Sequence, residues 1–327
     1  MFNTNFILFK PVLNSVLPSA EPTPVMMNSS NSTFLCDTHL SGLSTSLCTT
    51  GFVINILHLI GLQVTSKSEK ISYNYILIGI TSTDALHGFT YGVCTSCSFK
   101  DFLWTYDSGF LNALVAVATT GTIGIRYFLL MLASLDRFYA IRRPHDYKSS
   151  RITSNIGKLS LTGIILILVI NVGFASFPDF VSFDEVFGCT INFSENPYMT
   201  LVGILQFVIP VSLNAVLLAM VIKKLLKMNR QPAGNGVSRD IKIATKYILG
   251  TCLMFYIALT PVLVYSTAIV TLKDKDLIRA FEWTTLFSQV VYGTANVLFY
   301  CYIYRKYLPE VKNWTVTKVR GATVNPN

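Results

Sequence analysis

Seven long stretches almost free of charge constrain this chain more than any other feature. Uncharged runs cover residues 38–66, 159–178, 198–222, 247–272 and 283–304, and two more, 71–99 and 108–135, hold one charge each, Asp84 and Arg126. Each is long enough for the roughly 20 helical residues that cross a hydrocarbon core. Composition agrees: 13% of the 327 residues are charged, against about 25% in soluble domains, and the mean hydropathy is +0.50. Blocks of about ten residues with alternating hydrophobicity, the mark of a membrane barrel, are absent. No internal repeat of the kind that builds inverted-repeat transporters stands out. The expected fold is an all-α membrane protein, a bundle of seven transmembrane helices.

Seven spans put the two ends on opposite sides, and the basic residues choose the sides. Segments 65–72, 138–158, 223–246 and 305–327, with Arg137, hold 20 of the 26 Lys and Arg. The N-terminal segment with 95–107, 179–197 and 273–282 holds 5 of them and 11 of the 17 acids. The positive-inside rule then places the N-terminus outside and the C-terminus in the cytoplasm. The net charge of +9 is a topology signal and no sign of nucleic-acid binding. The sequons at Asn28, Asn31 and Asn192 fall outside and are candidate glycosylation sites, whereas Asn313 falls inside. The expected layout is an extracellular tail (1–40), a membrane domain (41–304), and a short amphipathic interfacial helix with the C-terminal tail (305–327). Lys10, Pro11 and Asn14 interrupt the apolar Phe6–Phe9, which favours a flexible tail over a cleaved signal peptide.

Polar residues inside apolar spans are functional candidates by default. Asn55 and His58 interrupt span 1, Asp84 and His87 span 2, Arg126 span 3, and Asn296 span 7. By helix rise Asp84 lies about 15 Å from Asn74, Arg126 about 16 Å from Arg137, and Asn296 about 14 Å from Arg305. The three polar residues therefore fall in one layer, where Arg126 can pair with Asp84. Arg126 is eleven residues, close to three turns, from Arg137 and shares its helix face. The third span ends in Asp136-Arg137-Phe138, followed by Arg142-Arg143-Pro144 and Tyr147, a helix leaving a bilayer into a basic loop. Pro210 and Pro261 sit inside spans 5 and 6, where each removes a backbone bond and kinks the helix.

These residues, in order and each in its own span, carry a family resemblance. Asn55, the Asn74–Asp84 spacing, Asp136-Arg137-Phe138 with Pro144 and Tyr147, Pro210, Phe255 with Pro261, and Asn296 with Tyr300 and Tyr307 resemble the rhodopsin-like (class A) G-protein-coupled receptors over nearly all of 40–310. The resemblance implies that Asp136, Arg137, Phe138, Pro144 and Tyr147 form the G-protein coupling region. It makes Asn55, Asp84, His87, Arg126, Asn296 and Tyr300 a core polar network, and Pro210, Phe255, Leu259 and Pro261 the kink and switch positions. It places Thr119, Thr122, Ile123, Phe207, Leu259, Val262, Leu263, Leu286, Gln289 and Val290 around the ligand pocket. Similar receptors join the top of span 3 to the second outer loop by a disulfide; here Cys189 fits the loop, and Cys36, Cys94 or Cys97 is its partner.

The chain departs from the family at several places. Leu259 stands for the usual tryptophan, Ile241 for an acid low on span 6, Leu218 for a span-5 tyrosine and Val297 for a proline. Thr119 replaces the aspartate of amine receptors, and span 7 lacks the lysine a retinal Schiff base needs. Relatives hold a sodium ion with their counterpart of Asp84; Arg126 in its place implies a guanidinium filling that volume. A purely structural pair is the other reading.

No nucleophile–base set or metal-ligand spacing supports an enzyme, and Cys94-Thr-Ser-Cys97 has no histidine to complete a metal site. No cofactor is expected. The expected function is a plasma-membrane receptor in which an extracellular ligand, a peptide or a small chemosensory molecule, shifts helix packing and activates a heterotrimeric G protein. The alternatives are a seven-span transporter or channel using Asp84, Arg126 and His87 as a polar relay, and a signalling-impaired receptor-like protein.

Overall fold

The computed structural model describes residues 38–65, 73–96, 98–99, 109–147, 151–177, 181–184, 188–191, 201–229, 239–271, 275–304 and 307–312. Seven long helices pack as one bundle: α1 (Thr38–Thr65), α2 (Tyr73–Cys94), α3 (Gly109–Arg142), α4 (Arg151–Ala175), α5 (Ile209–Asn229), α6 (Arg239–Thr271) and α7 (Lys275–Ile303). Six are long and apolar enough to cross a membrane; α2 does not meet that measure, being broken by Thr81, Ser82, Thr83, Asp84 and His87. Many large apolar side chains face outward. On α4 alone Leu159, Leu161, Ile165, Leu166, Val169 and Val172 are exposed. Such a belt is costly against water and natural against lipid.

Helix α3 is the axis of the bundle and touches α2, α4, α5 and α6. Its 34 residues make about 51 Å of helix, well beyond the roughly 30 Å hydrocarbon core. Nineteen of them are buried, so α3 is enclosed nearly all round, and its polar side chains must find partners inside the protein. It stops where Pro144 disfavours a helical Arg143, and the last helical bond runs from Arg143 N–H to the Tyr139 carbonyl, 3.0 Å.

Two irregular pieces add to the helical expectation. A two-stranded antiparallel hairpin, β1 (Val181–Asp184) and β2 (Gly188–Ile191), pairs Phe183 with Cys189 and Asp184 with Gly188. Strand β2 packs against α3 and α4. Before Pro210, residues Ile204–Val208 form a π turn that ends in an Ile209 N–H bond to the Ile204 carbonyl, a five-residue spacing that admits one extra residue.

After α7 comes a six-residue helical turn, 307–312, whose Tyr307 is buried and whose Leu308 is exposed. The Tyr307 hydroxyl lies 2.9 Å from His58 Nδ1 and 3.1 Å from the His58 carbonyl. Burial raises its phenol pKa above the ordinary value. Gly61, one turn beyond His58, makes this junction possible, since a Cβ there would run into the Tyr307 hydroxyl.

Candidate functional site

The polar residues of α2, α3 and α7 meet in one buried layer. Arg126 Nη2 stands 2.8 Å from Asp84 Oδ1, with both side chains at most 1% exposed. The N–H groups are not aimed well at the carboxylate, so this contact is charge against charge more than a hydrogen bond; neither Nε nor Nη2 of Arg126 has a well-angled acceptor. Arg126 Nη1 donates to Gln289 Oε1 at 3.3 Å, and the guanidinium carbon lies 5.3 Å from the Tyr292 ring centre, within cation–π range. Asp84 Oδ2 accepts from Asn296 Nδ2 at 3.3 Å. His87, one turn along α2, lies 3.4 Å from the Thr122 hydroxyl and stacks on Tyr91 at 4.2 Å. Asn55 turns aside from the carboxylate and donates to the carbonyls of Gly51 and Gly293, at 2.9 and 3.4 Å.

Helix α7 hands this layer on to α6 at two levels. Asn296 Oδ1 accepts from Tyr247 at 2.7 Å and from Thr251 at 3.0 Å. Further along, Pro261 lacks the N–H that would bond the Ile257 carbonyl. One residue on, the Ala258 carbonyl accepts from Ser288 Oγ at 2.9 Å and Gln289 Nε2 at 3.1 Å. Tyr300, the remaining residue expected in the network, instead joins an aromatic cluster with His58, Tyr247, Tyr304 and Tyr307, at centroid distances of 4.4–5.2 Å.

At the basic end of α3, Arg137 is 2% exposed. Its Nε donates to Asp136 Oδ2 at 2.9 Å, and Nη2 pairs with the same oxygen. Tyr147, beyond Pro144, completes the knot: its hydroxyl donates to Asp136 Oδ1 at 2.9 Å and accepts from Arg137 Nη2 at 2.6 Å. Phe138 lies outside the knot under the Arg142 guanidinium, 5.7 Å away, and Pro144 is half-buried.

Of the expected pocket residues, Thr119, Thr122, Phe207, Leu259, Val262, Leu286, Gln289 and Val290 are buried and Ile123 half-buried. Leu263 is 41% exposed, one residue round α6 from the buried Leu259 and Val262. The hydroxyls of Thr119 and Thr122 bond carbonyls of their own helix. Phe207, Tyr127, Phe255 and Tyr292 form an edge-to-face aromatic run at 5.0–6.0 Å.

Cys94 is buried in the main core cluster. Cys36, Cys97, Asn28, Asn31 and Asn192 lie outside the described residues, as does the Cys189 side chain.

Several polar groups emerge only in three dimensions. Ser134, Asn214 and Cys252 join α3, α5 and α6, with Ser134 Oγ donating to Asn214 Oδ1 at 2.6 Å. Asn171 on α4 donates to Gln206 of the π turn at 3.3 Å. Each is a polar residue in an apolar run, and that signal alone marks it for attention.

No curated protein gives a significant match to the chain. A family model, 7 transmembrane receptor (rhodopsin family), matches residues 54–304. That span takes in the whole layer from Asn55 to Asn296 and the Asp136–Arg137 knot, and the chain belongs to the rhodopsin family of seven-transmembrane receptors.

Proposed function

We propose that this receptor couples to a heterotrimeric G protein through the Arg137 end of α3, in response to a ligand arriving at the opposite end of the bundle. The observation that carries the proposal is the Asp136–Arg137–Tyr147 knot. A buried guanidinium satisfied by a neighbouring acid and a phenol is held off the surface, and helix separation would release it. In this reading residues 1–40 are extracellular and glycosylated, 305–327 are cytoplasmic, and the protein sits in the plasma membrane. The acidic outer segments, with Asp179, Asp184, Glu185 and Glu195, favour a peptide carrying basic residues; a small apolar chemosensory molecule suits the buried aliphatic lining. The Arg126 guanidinium serves as the resident cation of the Asp84 carboxylate.

Replacing Arg137 by Ala tests the coupling. Nucleotide exchange on a promiscuous G protein is expected to disappear while surface staining stays at the parental level. Unchanged exchange would remove Arg137 from the coupling site.

A further inference from the structure

The two attachments of α6 to α7 are each anchored on a different partner of the ion pair. From Asp84 the path runs through Asn296 to Tyr247 and Thr251 on α6, with links of 3.3, 2.7 and 3.0 Å. From Arg126 it runs through Gln289 to the Ala258 carbonyl, three residues before Pro261, with links of 3.3 and 3.1 Å. The 2.8 Å contact between Arg126 and Asp84 closes these two arms into one circuit that starts and ends on α6. We infer that the Arg126–Asp84 pair is the keystone of a two-armed clasp that holds α6 in place, with Gln289 as the positioning residue of the upper arm.

The chemistry of the arms favours this role. Gln289 and Asn296 are amides, and each uses its oxygen and its nitrogen in opposite directions. Gln289 accepts from Arg126 and donates to α6, while Asn296 donates to Asp84 and accepts from α6. A charge at one end of such a chain polarises the next bond and strengthens it. Losing the pair therefore weakens both arms together, and losing one arm leaves the other attached. Leu259, an aliphatic residue next to Ala258, can make no polar link of its own, so at this height α6 is tied to α7 through its backbone.

The inference rests on the receptor reading above only for what an α6 displacement does to signalling. Its test is a distance. Spin probes placed as noncanonical amino acids at the exposed Lys158 of α4 and Lys242 of α6 report the position of the α6 end in the full chain in lipid nanodiscs. Arg126→Met is expected to populate a longer distance, and Gln289→Met a smaller fraction of it. One hydrogen bond to a charged group shifts a two-state equilibrium about tenfold. Adding Gln289→Met to Arg126→Met should change little, because the upper arm has already lost its anchor. The charge exchange Asp84→Arg with Arg126→Asp should bring back only part of the short distance, since a carboxylate at position 126 turns the Gln289 oxygen toward the Ala258 carbonyl and leaves the lower arm alone to re-form.

Unchanged distances in folded Arg126→Met, or effects of the two substitutions that simply add, would overturn the clasp. If Arg126→Met does not yield folded protein, Gln289→Met and Asn296→Leu decide: a distance equal to the parent in both overturns it. Displacement of α6 as described, with no nucleotide exchange in any form, would support the clasp and refute the coupling reading.

Discussion

Among the described residues two acid–arginine pairs are buried, and they are built on opposite plans. Asp136 and Arg137 are neighbours in sequence; their third member, Tyr147, is ten residues on, and the knot belongs to one helix and the turn that ends it. Asp84 and Arg126 are 42 residues apart on different helices and reach α6 through α7. The bonds of the first pair given above run between neighbours in α3 and the turn after it. The second fastens four helices and leaves part of its guanidinium without well-angled acceptors. Burying an ion pair returns little net stability, but removing one partner strands a charge. The distant pair is therefore the more consequential one to break, and the local pair the easier one to open.

The largest expected effect follows directly. Arg126→Ala strands Asp84 without its cation inside the bundle and should cost about 3–5 kcal/mol, read as a fall in thermal unfolding temperature in nanodiscs. Asp84→Asn added to it should recover much of the loss. A stability change as small as that of Asp136→Asn would erase the distinction between the two pairs.

Next in size is a long-range junction with no charge in it. Gly61→Ala pushes a methyl into the Tyr307 hydroxyl and should cost about 1–3 kcal/mol by overpacking, with faster proteolysis at the junction after α7. Tyr147→Phe removes a hydroxyl from the local knot and should cost about 1 kcal/mol. Its clearer readout is basal nucleotide exchange, expected to rise as Arg137 loses a partner. The smallest effect sharpens the comparison by its absence: sodium and choline chloride should give the same unfolding temperature for the parental protein, since Asp84 already holds a cation.

Much of the fold was legible because charge is so expensive in hydrocarbon that its scarcity outlines the helices. The common depth of Asp84, Arg126 and Asn296 was legible for the same reason, since fixed rise turns residue counts into heights. The partners of those residues were not. Gln289 reads as pocket lining by position, and only the packing of α7 against α3 and α6 shows its amide spanning Arg126 and Ala258. The Tyr147 contact depends on how the chain turns after Pro144, which no periodicity fixes. The β hairpin escaped notice because four-residue strands in a loop carry too little alternation to separate from irregular chain.

Phase matters most at the π turn of Ile204–Val208. The extra residue is held where Gln206 and Phe207 are both buried. Every position before the turn is consequently offset by one relative to a count made backwards from Pro210. A straight-helix count from Pro210 therefore sets residues 201–203 on the wrong side of the helix. Ligand-contact mutants before the turn are best chosen from the observed geometry and not from that count.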